Sequence, residues 1–138
     1  MKFDDDDPVW TRHDGGSGHD GPEWRDGDEE RARAFYESVS DVTQRILDFL
    51  AVRPGHLIDA KDIFERLRGR EWRDGDPNWR KSVAASLNSL RNVPGTESGR
   101  RLPFYWWAPT DDTDTRYGMK PTVARLFRAA KRASDPDR

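Results

Sequence analysis

The sequence predicts an α+β domain that is mostly helical. In several stretches apolar residues recur at intervals of three and four, which is the pattern of a helix that buries one face. Residues 102–107 and 115–119 instead alternate with a period of two, which indicates two short strands joined by a turn. Pro54-Gly55 and Pro94-Gly95 interrupt these patterns and mark loops between the elements.

Each predicted helix starts at a residue that favours a helix N-terminus. Asp28, Ser40 and Asp59 cap three helices, and Pro121 opens the last one. A short extended segment, residues 56–58, separates the second helix from the third. The apolar residues expected to face the core from these helices are Phe35, Val39, Val42, Ile46, Leu47, Phe49, Leu50, Ile63, Phe64, Leu67, Val123, Leu126, Phe127 and Ala130.

A further helix is predicted over residues 77–92, capped by Asp76, and its polar face contains no acidic residue. Its apolar face consists of Trp79, Val83, Leu87 and Leu90 and is expected to pack on Phe64, Leu67, Ile46 and Leu50. The remaining surface carries small residues, amides, hydroxyls and bases, which suit contact with a DNA groove. The alternative is a solvated helix face that lacks acids by chance.

Charge divides the chain into an acidic head and a basic body. Residues 1–30 contain eleven acidic and three basic residues, a net charge of −8. Residues 31–138 contain fifteen acidic and twenty-one basic residues, a net charge of +6. We therefore predict an acidic disordered tail over residues 1–27, a domain over residues 28–132 and a frayed C-terminus over residues 133–138. The tail could compete with DNA for the basic body or simply aid solubility.

Several aromatic residues raise the question of what covers them. Trp10 and Trp24 of the predicted tail either pack on the domain or anchor a partner. The strand at 102–107 carries large aromatic side chains on both faces, and only one face can line the core. The other face needs the terminal helix, the tail, a second copy of the domain or another protein. In addition, the hexapeptide Glu-Trp-Arg-Asp-Gly-Asp occurs at residues 23–28 and 71–76, each time before a predicted helix.

This order of elements resembles a winged helix-turn-helix domain, and the chain is similar to small actinobacterial proteins of unassigned function with an acidic head. The resemblance implies an extra N-terminal helix, a two-stranded wing and a C-terminal helix over roughly residues 28–132. It also implies that helix 77–92 enters the major groove of DNA. It rests on residues 42–50, His56-Leu57-Ile58-Asp59, Ile63, Phe64, Leu67, Trp79, Val83, Leu87, Leu90 and the strands at 101–107 and 115–119.

We therefore predict a bacterial, cytoplasmic protein that binds double-stranded DNA as a transcriptional regulator or nucleoid-associated protein. Asp111, Asp112 and Asp114 at the tip of the predicted wing disfavour contact between the wing and phosphates. The alternative is a protein-interaction domain that binds a partner or a second copy through the hairpin at 102–107 and the C-terminal helix. The residues predicted to contact DNA are Asn78, Arg80, Lys81, Ser82, Asn88, Ser89, Arg91, Arg100, Arg101 and Arg116.

Catalysis, a cofactor and a metal site are not predicted. No nucleophile elbow, phosphate-binding loop or dinucleotide fingerprint occurs, and the absence of cysteine excludes disulfides and thiolate ligands. His13-Asp14 and His19-Asp20 lie in a glycine-rich segment without the fixed geometry that a metal site needs. No apolar stretch has the length of a membrane span and no signal peptide is visible, so we expect a protein inside the cell.

Overall fold

The computed structural model describes residues 2–11, 22–67, 102–112 and 115–134 of the chain. The predicted α+β class is confirmed, and about half of these residues are helical. A short 3₁₀ helix occupies Pro8–Thr11. The regular elements that follow are α1 (Glu29–Ser38), α2 (Asp41–Ala51), β1 (Leu57–Asp59), α3 (Ala60–Leu67), β2 (Tyr105–Trp107), β3 (Arg116–Gly118) and α4 (Pro121–Ser134).

The three strands form one antiparallel sheet in the order β1-β3-β2. Tyr117 of β3 lies opposite Ile58 of β1 on one side and opposite Trp106 of β2 on the other. The sequence predicted the hairpin and the extended segment 56–58 separately, and it assigned only two strands to the wing. In the structure β2 forms backbone hydrogen bonds with one edge of β3, and β1 forms them with the other edge. The sheet therefore has three strands, and both edges of β3 are paired.

The main core lies between α1, α2, α4 and one face of the sheet. Trp24, Phe35 and Phe127 form an edge-to-face cluster with ring centroids 5.3–5.9 Å apart. Where side chains are described, the helical periodicity predicted the inward faces correctly, although Val39 and Val42 are only partly buried. The side chains of Phe64 and Leu67, also predicted to face inward, lie outside the described part. The residues of those faces that are buried are Phe35, Ile46, Leu47, Phe49, Leu50, Ile63, Val123, Leu126, Phe127 and Ala130.

Two of the predicted helix caps, Ser40 and Asp28, behave differently. Ser40 caps α2 as predicted, because its hydroxyl accepts a hydrogen bond from the Thr43 backbone N–H at 3.3 Å. Asp28 precedes α1, but its side chain makes no capping hydrogen bond to the helix. Its carboxylate instead accepts from the Arg25 backbone N–H at 3.0 Å, across a turn in which Gly27 has φ of +101°. Asp28 therefore closes this turn and does not cap the helix by its side chain.

The N-terminal strap, residues 2–11, packs across the second face of the sheet. Trp10 is only 2% exposed, and its ring centroid lies 5.5 Å from that of Tyr105 and 5.9 Å from that of Trp107. The Trp10 indole Nε1–H donates to the Asp4 carbonyl at 2.8 Å, and the Phe3 backbone N–H donates to the Gly55 carbonyl at 2.8 Å. The sequence analysis named four segments or partners that could cover the second face of the aromatic strand. In the structure the N-terminal tail covers it.

The structure thus differs from the predicted disordered tail at residues 2–11 and 22–27. The physical reason is that Trp10 and Trp24 bury large apolar surfaces, which offsets the entropy of ordering short polar segments. A composition averaged over the first 27 residues is dominated by Asp and Gly, so it hides this contribution. Residues 12–21 lie outside the described residues.

The first copy of the repeated hexapeptide, residues 23–28, attaches the chain to α4. The Glu23 carboxylate accepts from the Tyr105 hydroxyl and lies 3.1 Å from Lys120 Nζ, and the Asp26 carboxylate pairs with Arg125. Together with buried Trp24 and the turn at Gly27, these contacts give most of the hexapeptide a structural role. The second copy, residues 71–76, lies outside the described residues.

Other predictions also fall outside the described part of the chain. They include the helix over residues 77–92, the packing of its apolar face, the connection before it and residues 135–138. Helix α4 itself runs to Ser134. None of the helices in the described ranges is long and apolar enough to cross a membrane.

We predict that Trp10→Ala lowers the free energy of unfolding by about 3–5 kcal/mol, because it empties the contact between the strap and the aromatic strand. Urea denaturation followed by circular dichroism measures this loss. Val52→Ala is the control, since Val52 is 59% exposed and its truncation should change stability by no more than about 0.5 kcal/mol. A loss below about 1 kcal/mol for Trp10→Ala would show that the strap does not stabilise the domain.

A second prediction compares neighbouring acids of the strap. The Asp5 carboxylate accepts from the Thr122 backbone N–H at 3.1 Å and from the Thr122 hydroxyl, so it caps α4 from outside the helix. Asp6 is exposed. We expect Asp5→Ala to cost about 0.5–2 kcal/mol of unfolding free energy and Asp6→Ala to be nearly neutral, as measured by thermal denaturation. Equal effects of the two substitutions would contradict the capping role.

Candidate functional site

Arg116 is the one predicted DNA-contacting residue that lies in the described part of the chain. It occupies the central strand β3, opposite Asp59 of β1 and Trp107 of β2. Because opposed residues of a sheet share a face, Arg116 lies on the face that the strap covers. Its side chain is partly buried, and its Nε atom is buried without a hydrogen-bond partner. The predicted residues outside the described ranges are Asn78, Arg80, Lys81, Ser82, Asn88, Ser89, Arg91, Arg100 and Arg101.

The aromatic hairpin, predicted as the alternative interaction surface, is largely enclosed by the chain itself. Phe104 packs in the main core, whereas Tyr105 and Trp107 pack with Trp10 of the strap, and Trp106 is partly buried against the main core. The apolar residues of α4 face α1 and α2 and are buried too. Neither element offers an exposed apolar surface in the described part of the chain.

A cationic groove, of about 250 Å³, lies between α2, α3 and α4. One face of α2 supplies Arg45, Asp48 and Phe49 at helical spacings of three and four, and the chain leaving that helix adds Val52 and Arg53. Arg66 comes from the last turn of α3 and Lys131 from the last turn of α4. Among the described lining residues four side chains are basic and one is acidic.

Contacts inside the cationic groove engage Asp48, the acidic residue among its described lining residues. The Asp48 carboxylate accepts from the Tyr36 hydroxyl, at 3.0 and 3.2 Å to its two oxygens, and it lies 3.4 Å from Lys131 Nζ. Asp48 therefore neutralises Lys131. It is also fixed in place by Tyr36 of α1.

Arg53 is held in place by an aromatic ring and a helix terminus. Its guanidinium carbon lies 3.8 Å from the centroid of the Phe49 ring, and its Nη1 donates to the Phe49 carbonyl at 3.2 Å. The Arg128 Nη1 donates to the neighbouring Ala51 carbonyl at 2.6 Å. These two bonds satisfy carbonyls at the C-terminal end of α2, where the helix dipole would otherwise repel an anion.

The surface beside Arg53 is open and partly apolar. Val52 is the one large hydrophobic residue that is strongly exposed within the described ranges. On the other side of Phe49 and Arg53 a shallower depression of about 470 Å³ is lined by His56, Leu57, Ile58 and Asp62 as well. The basic side chains of the cationic groove favour the binding of an anion. The described residues contain no cluster of three or more His, Asp or Glu side chains that could hold a metal ion.

Sequence reasoning did not find the cationic groove. Arg45 belongs to the amphipathic helix α2, and Arg53 belongs to the turn after it. The spacing of these two arginines in the sequence does not indicate a binding site. Lys131 lies 78 residues beyond Arg53 in the sequence, so only the packing of α4 on α2 brings them together. The one local signal was the stripe Arg45, Asp48, Phe49 and Val52 on a single side of α2.

Comparison with known proteins identifies a family but no characterised relative. The family model described as "Family of unknown function (DUF6416)" matches residues 29–134, which include all four α-helices and all three strands described above. No curated protein and no solved structure matches the chain. Because the match covers well over half of its length, the chain belongs to the DUF6416 family, a family of unknown function.

Proposed function

We propose that this protein is a non-catalytic winged helix-turn-helix protein that binds double-stranded DNA through residues 77–92. The observation that carries the proposal is the strand order β1-β3-β2. Strand β1 lies between α2 and α3 in the sequence, and its pairing with β3 attaches the later hairpin to this helix-strand-helix unit. A wing must be attached in this way if it is to lie beside the second helix of a helix-turn-helix motif.

The charge of the body supports an anionic partner. Residues 31–138 carry a net charge of +6, and the polar face predicted for residues 77–92 has no acid. In the proposed complex Arg80, Lys81 and Arg91 neutralise phosphates. The residues proposed to approach base edges are Asn78, Ser82, Asn88 and Ser89. Arg100 and Arg101, which precede the hairpin in the sequence, complete the proposed set together with Arg116. Arg116 is the weakest member of the proposed set, since the strap covers its face of the sheet.

Such a protein would act in the bacterial cytoplasm, as a transcriptional regulator or as a component of the nucleoid. The protein-interaction alternative loses the feature that suggested it. The hairpin at 102–107 was its proposed contact surface, and Leu102, Phe104, Tyr105 and Trp107 are each at most 6% exposed. A partner or second copy could reach them only after displacing the strap or opening the core.

We predict that Lys81→Glu weakens binding to a mixed-sequence duplex at least tenfold at low salt, because it replaces a phosphate contact by a repulsion. Fluorescence anisotropy with a labelled duplex measures the affinity. Lys61→Glu is the matched control, since Lys61 is exposed on α3 and the charge change is identical. Both variants should keep the melting temperature of the unaltered protein.

The same assay at two salt concentrations tests the mode of binding. The logarithm of the affinity should fall linearly with the logarithm of the salt concentration, and Lys81→Ala should reduce this slope by about 0.9. Asp111→Ala and Asp112→Ala should leave the affinity unchanged or raise it slightly, since they remove only repulsion. Absence of binding at low salt, or equal losses for Lys81→Glu and Lys61→Glu, would contradict DNA binding through residues 77–92.

A further inference from the structure

We propose that the sheet face under the strap is a docking site for an acidic peptide segment that carries a tryptophan and belongs to another protein. In the structure the strap, residues 2–11, occupies this site. The domain contributes Tyr105 and Trp107 of β2, Leu57 of β1 and the first turn of α4. The proposal does not depend on the DNA contact of residues 77–92.

The first argument is that the strap is held in the manner of a bound peptide, by a buried aromatic side chain and a carboxylate. Trp10 is 2% exposed and packs against Tyr105 and Trp107. The Asp5 carboxylate accepts from the Thr122 backbone N–H at 3.1 Å. At protein interfaces a few anchors carry most of the binding free energy, and tryptophan is prominent among them. The strap therefore shows the chemistry that this face recognises.

The second argument is that the strap forms its own turns. The Asp4 carbonyl accepts from the Asp7 backbone N–H at 3.1 Å and from the Trp10 indole N–H at 2.8 Å. The Asp7 carbonyl accepts from the Trp10 backbone N–H at 3.2 Å, and its carboxylate accepts from the Val9 backbone N–H at 2.9 Å. Because these bonds lie within the strap, a separate segment of similar sequence can form them too. A segment that is partly ordered in this way loses less entropy on binding.

The third argument is that the two anchors of the strap bind different kinds of surface. Thr122 lies in the first turn of α4, where the helix dipole favours a carboxylate. The rings of Tyr105 and Trp107 are tilted by 52° and 53° from the Trp10 ring, away from the less favourable face-to-face arrangement. In the strap the acid precedes the tryptophan by five positions. We expect a similar spacing in the partner segment.

The position of the strap in the sequence makes it separable from the domain. The family model starts at residue 29, whereas the strap ends at Thr11. Residues 12–21, which follow the strap, include four glycines and no apolar residue. The stretch that the family model matches thus contains the docking face but not the strap that covers it here.

The connection between strap and domain decides which partner can use the face. A tether of this length holds the strap at an effective concentration on the order of 1 mM. The strap of a second copy has the same affinity for the face, so at micromolar concentrations it loses this competition. The occupant is therefore a segment of another protein that binds more tightly than the strap. The strap excludes weaker segments.

Exchange of a labelled peptide into the full chain tests the docking site. A specific protease site is placed within residues 12–21, the folded chain is cut there, and the strap stays in the sample so that the face is never left uncovered. Fluorescence anisotropy then follows a labelled peptide of residues 2–11 titrated with cut or uncut chain. We expect saturable binding to the cut chain and at least tenfold weaker binding to the uncut chain, because cutting removes the effective concentration of the strap.

Peptide variants identify the anchors, and the chain itself stays unchanged in these titrations. Trp10→Ala in the peptide should weaken binding to the cut chain at least tenfold, and Asp5→Ala should weaken it several-fold. The matched control is Asp6→Ala, which should bind like the unaltered peptide because Asp6 is exposed in the docked strap.

Three results of these titrations would overturn the docking site. They are no saturable binding to the cut chain, equal affinity for cut and uncut chain, and equal affinity of the Trp10→Ala and unaltered peptides. Light scattering of the uncut chain provides a fourth. A dimer at micromolar concentration that excess strap peptide dissociates would contradict the proposal, since the occupant would then be a second copy.

Discussion

The contact of Trp10 with Tyr105 and Trp107 is the interaction on which the sheet depends. A three-stranded sheet with aromatic side chains on both faces is stable in water only if both faces are covered, and helices cover just one. The strap covers the other and approaches Gly55 so closely that it excludes a side chain there, because a Cβ at Gly55 would lie 2.3 Å from the Phe3 carbonyl oxygen. A Cβ at Gly118 would make tight contacts, 3.1 Å from the His56 carbonyl oxygen and 3.3 Å from the Trp10 ring. The φ of +76° at Gly55 adds a second reason for glycine there.

The same arrangement gives the acidic head a structural role. Asp5 binds the first turn of α4, and Glu23 and Asp26 pair with Lys120 and Arg125 at the same helix. Part of the net charge of −8 is therefore neutralised within the domain. With both faces of the sheet covered, the cationic groove is an open basic surface among the described residues.

Regular elements were predictable because their signals are local. The burial of Phe35, Ile46 and Phe127 follows from helical periodicity, and the cap at Ser40 follows from residue type. Features that depend on residues distant in sequence were not predictable: the strap joins Trp10 to a strand about 95 residues later, the sheet gains β1, and the cationic groove joins α2 to α4. Asp28 does not cap α1 by its side chain, because its carboxylate accepts a hydrogen bond from the Arg25 backbone N–H across the turn at Gly27. Residue type alone does not predict which of these two hydrogen bonds an aspartate makes.

Hydrogen exchange measured by NMR on the full chain tests most directly whether the strap is part of the folded domain. The probes are the Phe3 backbone N–H, which donates to the Gly55 carbonyl outside the strap, and the Trp10 indole N–H, which belongs to a side chain that is buried when the strap is docked. We expect protection of both protons comparable to that of the backbone amides in β3. Exchange of both at the rate of an unstructured peptide, with β3 still protected, would show that the aromatic face is stable without the strap and would contradict this account.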